Sequence, residues 1–180
     1  MHQAQQDLLV LEAQSGNEKA FECLVAFYHP QLIKFATSLS GNHDLGKDAV
    51  QDVWINMTKK LRTLNDPRAF KSWIFRAVRW RVTDLAKSKF NQFEAFDESS
   101  MESTLNEVSQ LDETSIEQQQ IRQLIQQLPE KERTIVILFY MAELSISEIA
   151  LVQEIPVGTV KSQLNRARKA LAKRIEKQSS

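Results

Sequence analysis

An all-α fold of two small helical domains is predicted by three features: few turn residues, apolar side chains recurring every three or four positions, and an acidic stretch near the middle. Among 180 residues there are only 4 Gly and 4 Pro, which disfavours a turn-dense all-β architecture. With 42% hydrophobic and 26% charged residues, the composition is that of an ordinary globular chain. The longest apolar run, Ile135 to Ala142, is far below the roughly 18 residues needed to cross a bilayer. The N-terminus carries Asp7 and Glu12 rather than a basic-then-apolar leader. No membrane insertion and no export are expected.

The first domain is expected near residues 5–94, as a helical bundle. Ala20, Phe21, Leu24, Phe27 and Tyr28 recur at helical spacing, and Leu32, Phe35, Ala36 and Leu39 do so after Pro30, so two amphipathic helices are expected, one on each side of the proline. A helix from about Asp44 to Leu61 turns Leu45, Ala49, Val50, Val53, Trp54, Met57 and Leu61 inward. Asp48, Gln51, Asp52 and Ile55 share its opposite face, since residues three and four apart are neighbours on a helix. Asp66-Pro67 marks a turn, and a long helix from Phe70 to about Lys89 buries Phe70, Ile74, Ala77, Val78 and Leu85.

Residues 95–117 read as an acidic linker, because they hold no base and too few large apolar side chains to offset the entropy of ordering. The second domain, 118–178, opens a helix with Pro129 at its first turn and runs it from Glu130 to Met141. Ser145-Ile-Ser-Glu148 has the form of a capping box, predicting a short helix over Ile146–Val152. Gln153-Glu-Ile-Pro156 breaks it. A last helix, about Val157–Lys177, buries Val160, Leu164, Ala167, Leu171 and Ile175. Two helices joined by a short turn, the second basic outside, form a helix-turn-helix pattern.

The zero net charge conceals an asymmetry: residues 1–94 carry +3, 95–120 carry −7 and 121–180 carry +4. Six bases against Asp84 crowd Lys71–Lys89, and seven against Glu176 crowd Lys161–Lys177. Two basic strips suit a polyanion touched in two places. Thr159, Ser162, Gln163 and Arg166 are expected to face outward from the last helix, opposite Val160 and Leu164. Gln and Arg make bidentate bonds to base edges in a major groove, while Thr159, Ser162, Lys161 and Lys169 can hold phosphates. In the earlier helix Trp73, Arg76, Trp80, Thr83 and Lys87 interleave indoles with cations, a combination that stacks unpaired bases at about 1–3 kcal/mol each.

Catalysis finds no support. Gly41-Asn-His-Asp-Leu-Gly46-Lys47 has P-loop spacing, but Asp48 stands where Ser or Thr should hold magnesium and would repel phosphate. His2, His29 and His43 share no metal-ligand spacing. Cys23 is alone, so it forms no internal disulfide; it is expected in the core on an apolar stripe. No catalytic residue, metal or cofactor is expected, and a reducing cytoplasm fits.

Three stretches resemble the sigma factors of bacterial RNA polymerase, in particular the extracytoplasmic-function (ECF) group of the sigma-70 family. Asp48-Ala-Val-Gln-Asp-Val-Trp54 resembles the family's polymerase-binding helix. Phe70-Lys-Ser-Trp-Ile-Phe-Arg-Ala-Val-Arg79, with Asp84, resembles the helix that melts promoters and reads the −10 element. Leu128-Pro-Glu-Lys-Glu-Arg133 and Ile155-Pro-Val-Gly-Thr-Val-Lys-Ser162, continuing through Arg166-Ala-Arg-Lys-Ala-Leu171, resemble the −35-reading domain. The resemblance implies that Asp48, Gln51, Asp52 and Ile55 dock on the clamp helices of the core polymerase's largest subunit. It assigns Arg76, Arg79, Trp80, Asp84 and Lys87, with the loop Thr63–Arg68, to the opened −10 element, and Thr159, Lys161, Ser162, Gln163 and Arg166 to the −35 duplex. It also implies an anti-sigma factor as a partner beside core polymerase and promoter DNA. Four positions depart from the family pattern: Trp80 where Asn is usual, Gln163 where Arg is common, Asn165 where His is common, and Glu154 where the turn usually has Gly. A stand-alone helix-turn-helix regulator, dimeric on a palindrome, and an adaptor that sequesters a partner are the competing readings.

Overall fold

Polar caps open the principal helices where apolar stripes begin. The Asn17 side chain accepts the Ala20 N–H to start α2 (Glu18–Ser40), and Asn42 accepts the Leu45 N–H to start α3 (His43–Lys60). The computed structural model describes residues 2–94 and 116–178. These residues form two compact units, and among them there are helices and no strands. The expected linker at 95–117 lies outside the described residues except for its last two, which open a helix.

The first unit holds α1 (Gln3–Gln14), α2, α3 and α4 (Phe70–Glu94), with short 3-10 turns at Leu61–Thr63 and Pro67–Ala69 between the last two. Helix α3 packs against both α2 and α4, and α1 lies on α2. Phe35 meets Phe75 edge-on at 5.2 Å and Tyr28 meets Phe70 at 5.5 Å, so aromatic pairs join α2 to α4. All seven residues expected inside α3 are buried, as are Phe70, Ile74 and Val78 of α4. Helix α1 has no strong apolar stripe and was not foreseen. It is held by Val10 in the core, by the buried bond from the Tyr28 hydroxyl to Gln6 Oε1, and by Gln14 Nε2 donating to the carbonyls of Leu61 and Leu64 at 3.0 and 2.7 Å.

Two expectations in α2 are corrected. The helix runs unbroken through Pro30, because the carbonyl that the proline leaves without a donor belongs to Ala26, where water can reach it. Cys23 is exposed rather than in the core. The stripe that enters the core is Ala20, Leu24, Tyr28, Leu32, Phe35 and Ala36, and Cys23 sits about 100° around the axis from Leu24.

Gly46 explains the glycine–lysine spacing without a phosphate. A Cβ there would lie 2.9 Å from the backbone nitrogen of Thr37, so the glycine is what lets α3 approach α2. Gly41, at φ 68, is the left-handed C-cap of α2, and His43 onward is helix rather than loop.

The second unit holds α5 (Ile116–Gln126), α6 (Glu130–Val136), α7 (Ile146–Gln153) and α8 (Val157–Gln178). The helix expected over Glu130–Met141 is α-helical only to Val136 and continues as a π-helical turn, Ile137–Met141. Ile135, Val136, Ile137, Leu138, Ile149, Val152, Val160, Leu164 and Ala167 form its core. Leu171 is only half-buried and Ile175 is exposed, so the expected apolar face fades towards the end of α8.

Candidate nucleic-acid and polymerase interfaces

In the first unit, the face of α3 turned away from the core carries Asp48 and Gln51, both exposed, and Ile55, with 54% of its surface free. Asp52 is only partly available. Arg81 of α4 reaches across to it, with Nη2 at 2.7 Å and Nε at 2.8 Å from the same carboxylate oxygen. The third guanidinium nitrogen donates to Asp84 at 2.9 Å. One arginine thus holds a carboxylate of the α3 face and one of its own helix, and the hydrogen bond to Asp52 raises its pKa above the ordinary arginine value.

Beside this fork lies an open cleft of about 500 Å3 between α3 and α4. Trp73, Arg76, Trp80, Arg81 and Asp84 line it from α4, with Asn56, Met57 and Lys60 opposite. Trp80 is 55% exposed, and the Arg79 guanidinium sits 5.7 Å from the centre of its ring. Trp73 is half-buried, whereas Arg76, Asp84 and Lys87 are exposed. The α4 residues expected to act together therefore share one side of their helix, with flat rings and cations accessible. In the preceding loop, Arg68 donates to both carboxylate oxygens of Asp66, and its side-chain hydrogen bond is the first cause holding the Asp66 carboxyl below the usual range.

In the second unit the Ser145–Glu148 capping box is present in both directions, at 3.2 and 2.8 Å, and opens α7. Glu154 ends α7 in the left-handed region, at φ 58. The turn this makes carries the chain into α8, completing a helix-turn-helix. Lys161, Ser162 and Arg166 stand exposed on the first turns of α8, and Thr159 is half-buried. Gln163 departs from expectation: only 8% of it is exposed, so it faces the domain interior with Val160, Leu164 and Ala167 rather than a groove. The free face is Gly158, Lys161, Ser162, Asn165 and Arg166. Asn165, outside the expected −35 set although its position departs from the family pattern, shares this exposed face with Lys161 and Ser162, and its amide could pair with adenine. Arg166 Nη2 lies 3.6 Å from Glu132 of α6 and its side chain remains 65% exposed.

Among the described residues, no three His, Cys, Asp or Glu side chains gather as a metal-ligand set, and no helix is long and apolar enough to cross a membrane.

These two units coincide with two families of DNA-recognition domain. Residues 24–89 match the family model for Sigma-70 region 2, and residues 118–171 match that for Sigma-70, region 4. The ECF RNA polymerase sigma factor SigW of Bacillus subtilis is 28% identical over 92% of this chain and 94% of its own. The ECF RNA polymerase sigma-E factor of Escherichia coli K12 is 29% identical over 94% and 93%. Among solved structures, the sigma factor RpoE of Bartonella quintana, in complex with the anti-sigma factor NepR, superposes with a TM-score of 0.75 at 25% identity, covering 88% of this chain and 98% of that one. CnrH, in complex with the cytosolic domain of CnrY, shares the fold at a TM-score of 0.70 and 22% identity, over 96% and 97%. The class is thus a DNA-recognition factor of transcription initiation. The chain belongs to the sigma-70 family, in its ECF group.

Proposed function

We propose that this sigma factor divides its work between the two units: the first holds core RNA polymerase and the opened −10 strand, and the second reads −35 duplex. The observation that carries the division is the pair of chemically different surfaces. In the first unit, exposed Trp80 beside Arg79 and Arg76 suits unstacked bases, which only a melted strand offers. In the second, α8 presents Lys161, Ser162, Asn165 and Arg166 along one helix face, the width a major groove admits. Asp48, Gln51, Ile55 and the free part of Asp52 dock on the polymerase. Arg166 makes the principal base contact at −35, and Gln163 supports the helix from behind.

The factor acts by recognition and not by catalysis: melting is driven by trapping unstacked bases while the −35 contact fixes the register. An anti-sigma factor is the expected inhibitor; the sigma factor RpoE of Bartonella quintana, to which this chain is similar, is bound by the anti-sigma factor NepR. A cytoplasmic location accords with that role. Run-off transcription with core polymerase on a genomic library tests the whole reading. Start sites sharing −35 and −10 boxes are expected, and transcripts that start without the factor, or a palindrome bound by the protein alone, overturn it. The stand-alone regulator is disfavoured because a region 2 match accompanies the helix-turn-helix.

A further inference from the structure

Arg81 bridges the α3 face and the α4 cleft. Its fork is filled twice over, by Asp52 at 2.7 Å and by Asp84 at 2.9 Å. Yet it lines the cleft together with Arg76 and Trp80, and 36% of its side chain is open to solvent. An arginine between two carboxylates contributes little net attraction to a passing phosphate. Removing one carboxylate restores it. The carboxylate best placed to be removed is Asp52, because it lies on the face assigned above to the polymerase.

We propose that Arg81 couples polymerase docking to single-strand capture: when a basic partner surface takes Asp52, the guanidinium is released to the sugar-phosphate backbone of the strand in the α3–α4 cleft. The inference rests on the docking and cleft assignments just made. Linkage makes the effect reciprocal, so a strand that engages Arg81 frees Asp52 and tightens polymerase binding by the same factor. The coupling is about two- to fivefold, the range that a partly exposed ion pair supplies.

The test uses the full chain and a labelled 20-nucleotide single strand, at low salt, with fluorescence anisotropy as the readout. Without polymerase, Asp52→Asn is expected to tighten strand binding about two- to fivefold, and adding Asp52→Asn to Arg81→Gln is expected to give no further gain. Arg81→Met, which keeps the apolar stem, supplies the same background should the Gln variant melt early. With saturating strand, wild-type affinity for core polymerase is expected to rise by the matching factor, and that of the Arg81 variant to stay fixed. A gain from Asp52→Asn that persists without Arg81 is a general charge effect and overturns the coupling, as does no gain at all. If Trp80→Ala leaves strand binding unchanged, or Asp52→Asn leaves polymerase binding unchanged, the underlying assignment fails, and the coupling with it.

Discussion

Gln163 and Arg166 sit three positions apart on α8 and meet different surroundings, one against the core and one 65% exposed in solvent beside Glu132. Arg166→Ala is expected to weaken −35 use by roughly 1–3 kcal/mol if it removes a base contact, read as promoter affinity of the assembled polymerase. Gln163→Ala is expected to change promoter preference less and to lower thermal stability, which a melting curve separates from binding. At Glu154 the left-handed backbone at φ 58 strains a residue with a Cβ. Glu154→Gly is expected to raise stability by about 1 kcal/mol, seen as a higher urea midpoint. Asp66 sets a pH expectation. Its native carboxyl is held low by Arg68, so the pair's contribution is present above the ordinary carboxylate range and fades as pH falls through the lowered native value. An NMR titration of Asp66 checks this; about half of its side chain is open to solvent, so the effect on overall stability is small.

At the scale of helices, the Gly46 contact decides how closely α3 lies on α2. Gly46→Ala would put a methyl 2.9 Å from the Thr37 backbone, and a backbone atom cannot swing aside as a long side chain can. A loss of roughly 1–3 kcal/mol is expected, with weaker polymerase binding because the proposed docking face lies on α3; chemical denaturation and a pull-down with core enzyme measure the two effects. Helices with a strong stripe or a cap were readable from sequence: α3, α4, α7 and α8 begin within a residue of expectation. Those held by tertiary contacts were not. Helix α1 depends on Tyr28, Leu61 and Leu64 from distant positions. Helix α2 passes Pro30 because packing on both sides outweighs one missing hydrogen bond. The π-helical turn at Ile137–Met141 likewise has no sequence signal, since every residue in it is apolar or aromatic and fits an α-helix equally well.

For the molecule as a whole, the modest net charge of either half predicts weak DNA binding by the isolated chain. Strong sequence-specific affinity is expected only once polymerase supplies further contacts and holds the strand open. Gln51→Ala combined with Asp52→Ala is expected to abolish or sharply reduce binding to core enzyme, while leaving the fold intact because both side chains lie outside the core. Titration of core polymerase with labelled variants checks it.

Helical class, the positions of most helices and the residue types available to the candidate surfaces were legible in sequence alone, because periodicity and capping are local and residue types carry their own hydrogen-bonding capacity. Which face of α8 is free, whether Cys23 reaches solvent, and the fact that Asp52 is shared with Arg81 were decided only by tertiary structure. A one-residue step rotates a side chain by about 100° around its helix, and only the neighbours packed against that helix determine whether the step ends in the core, in water or beside an opposite charge.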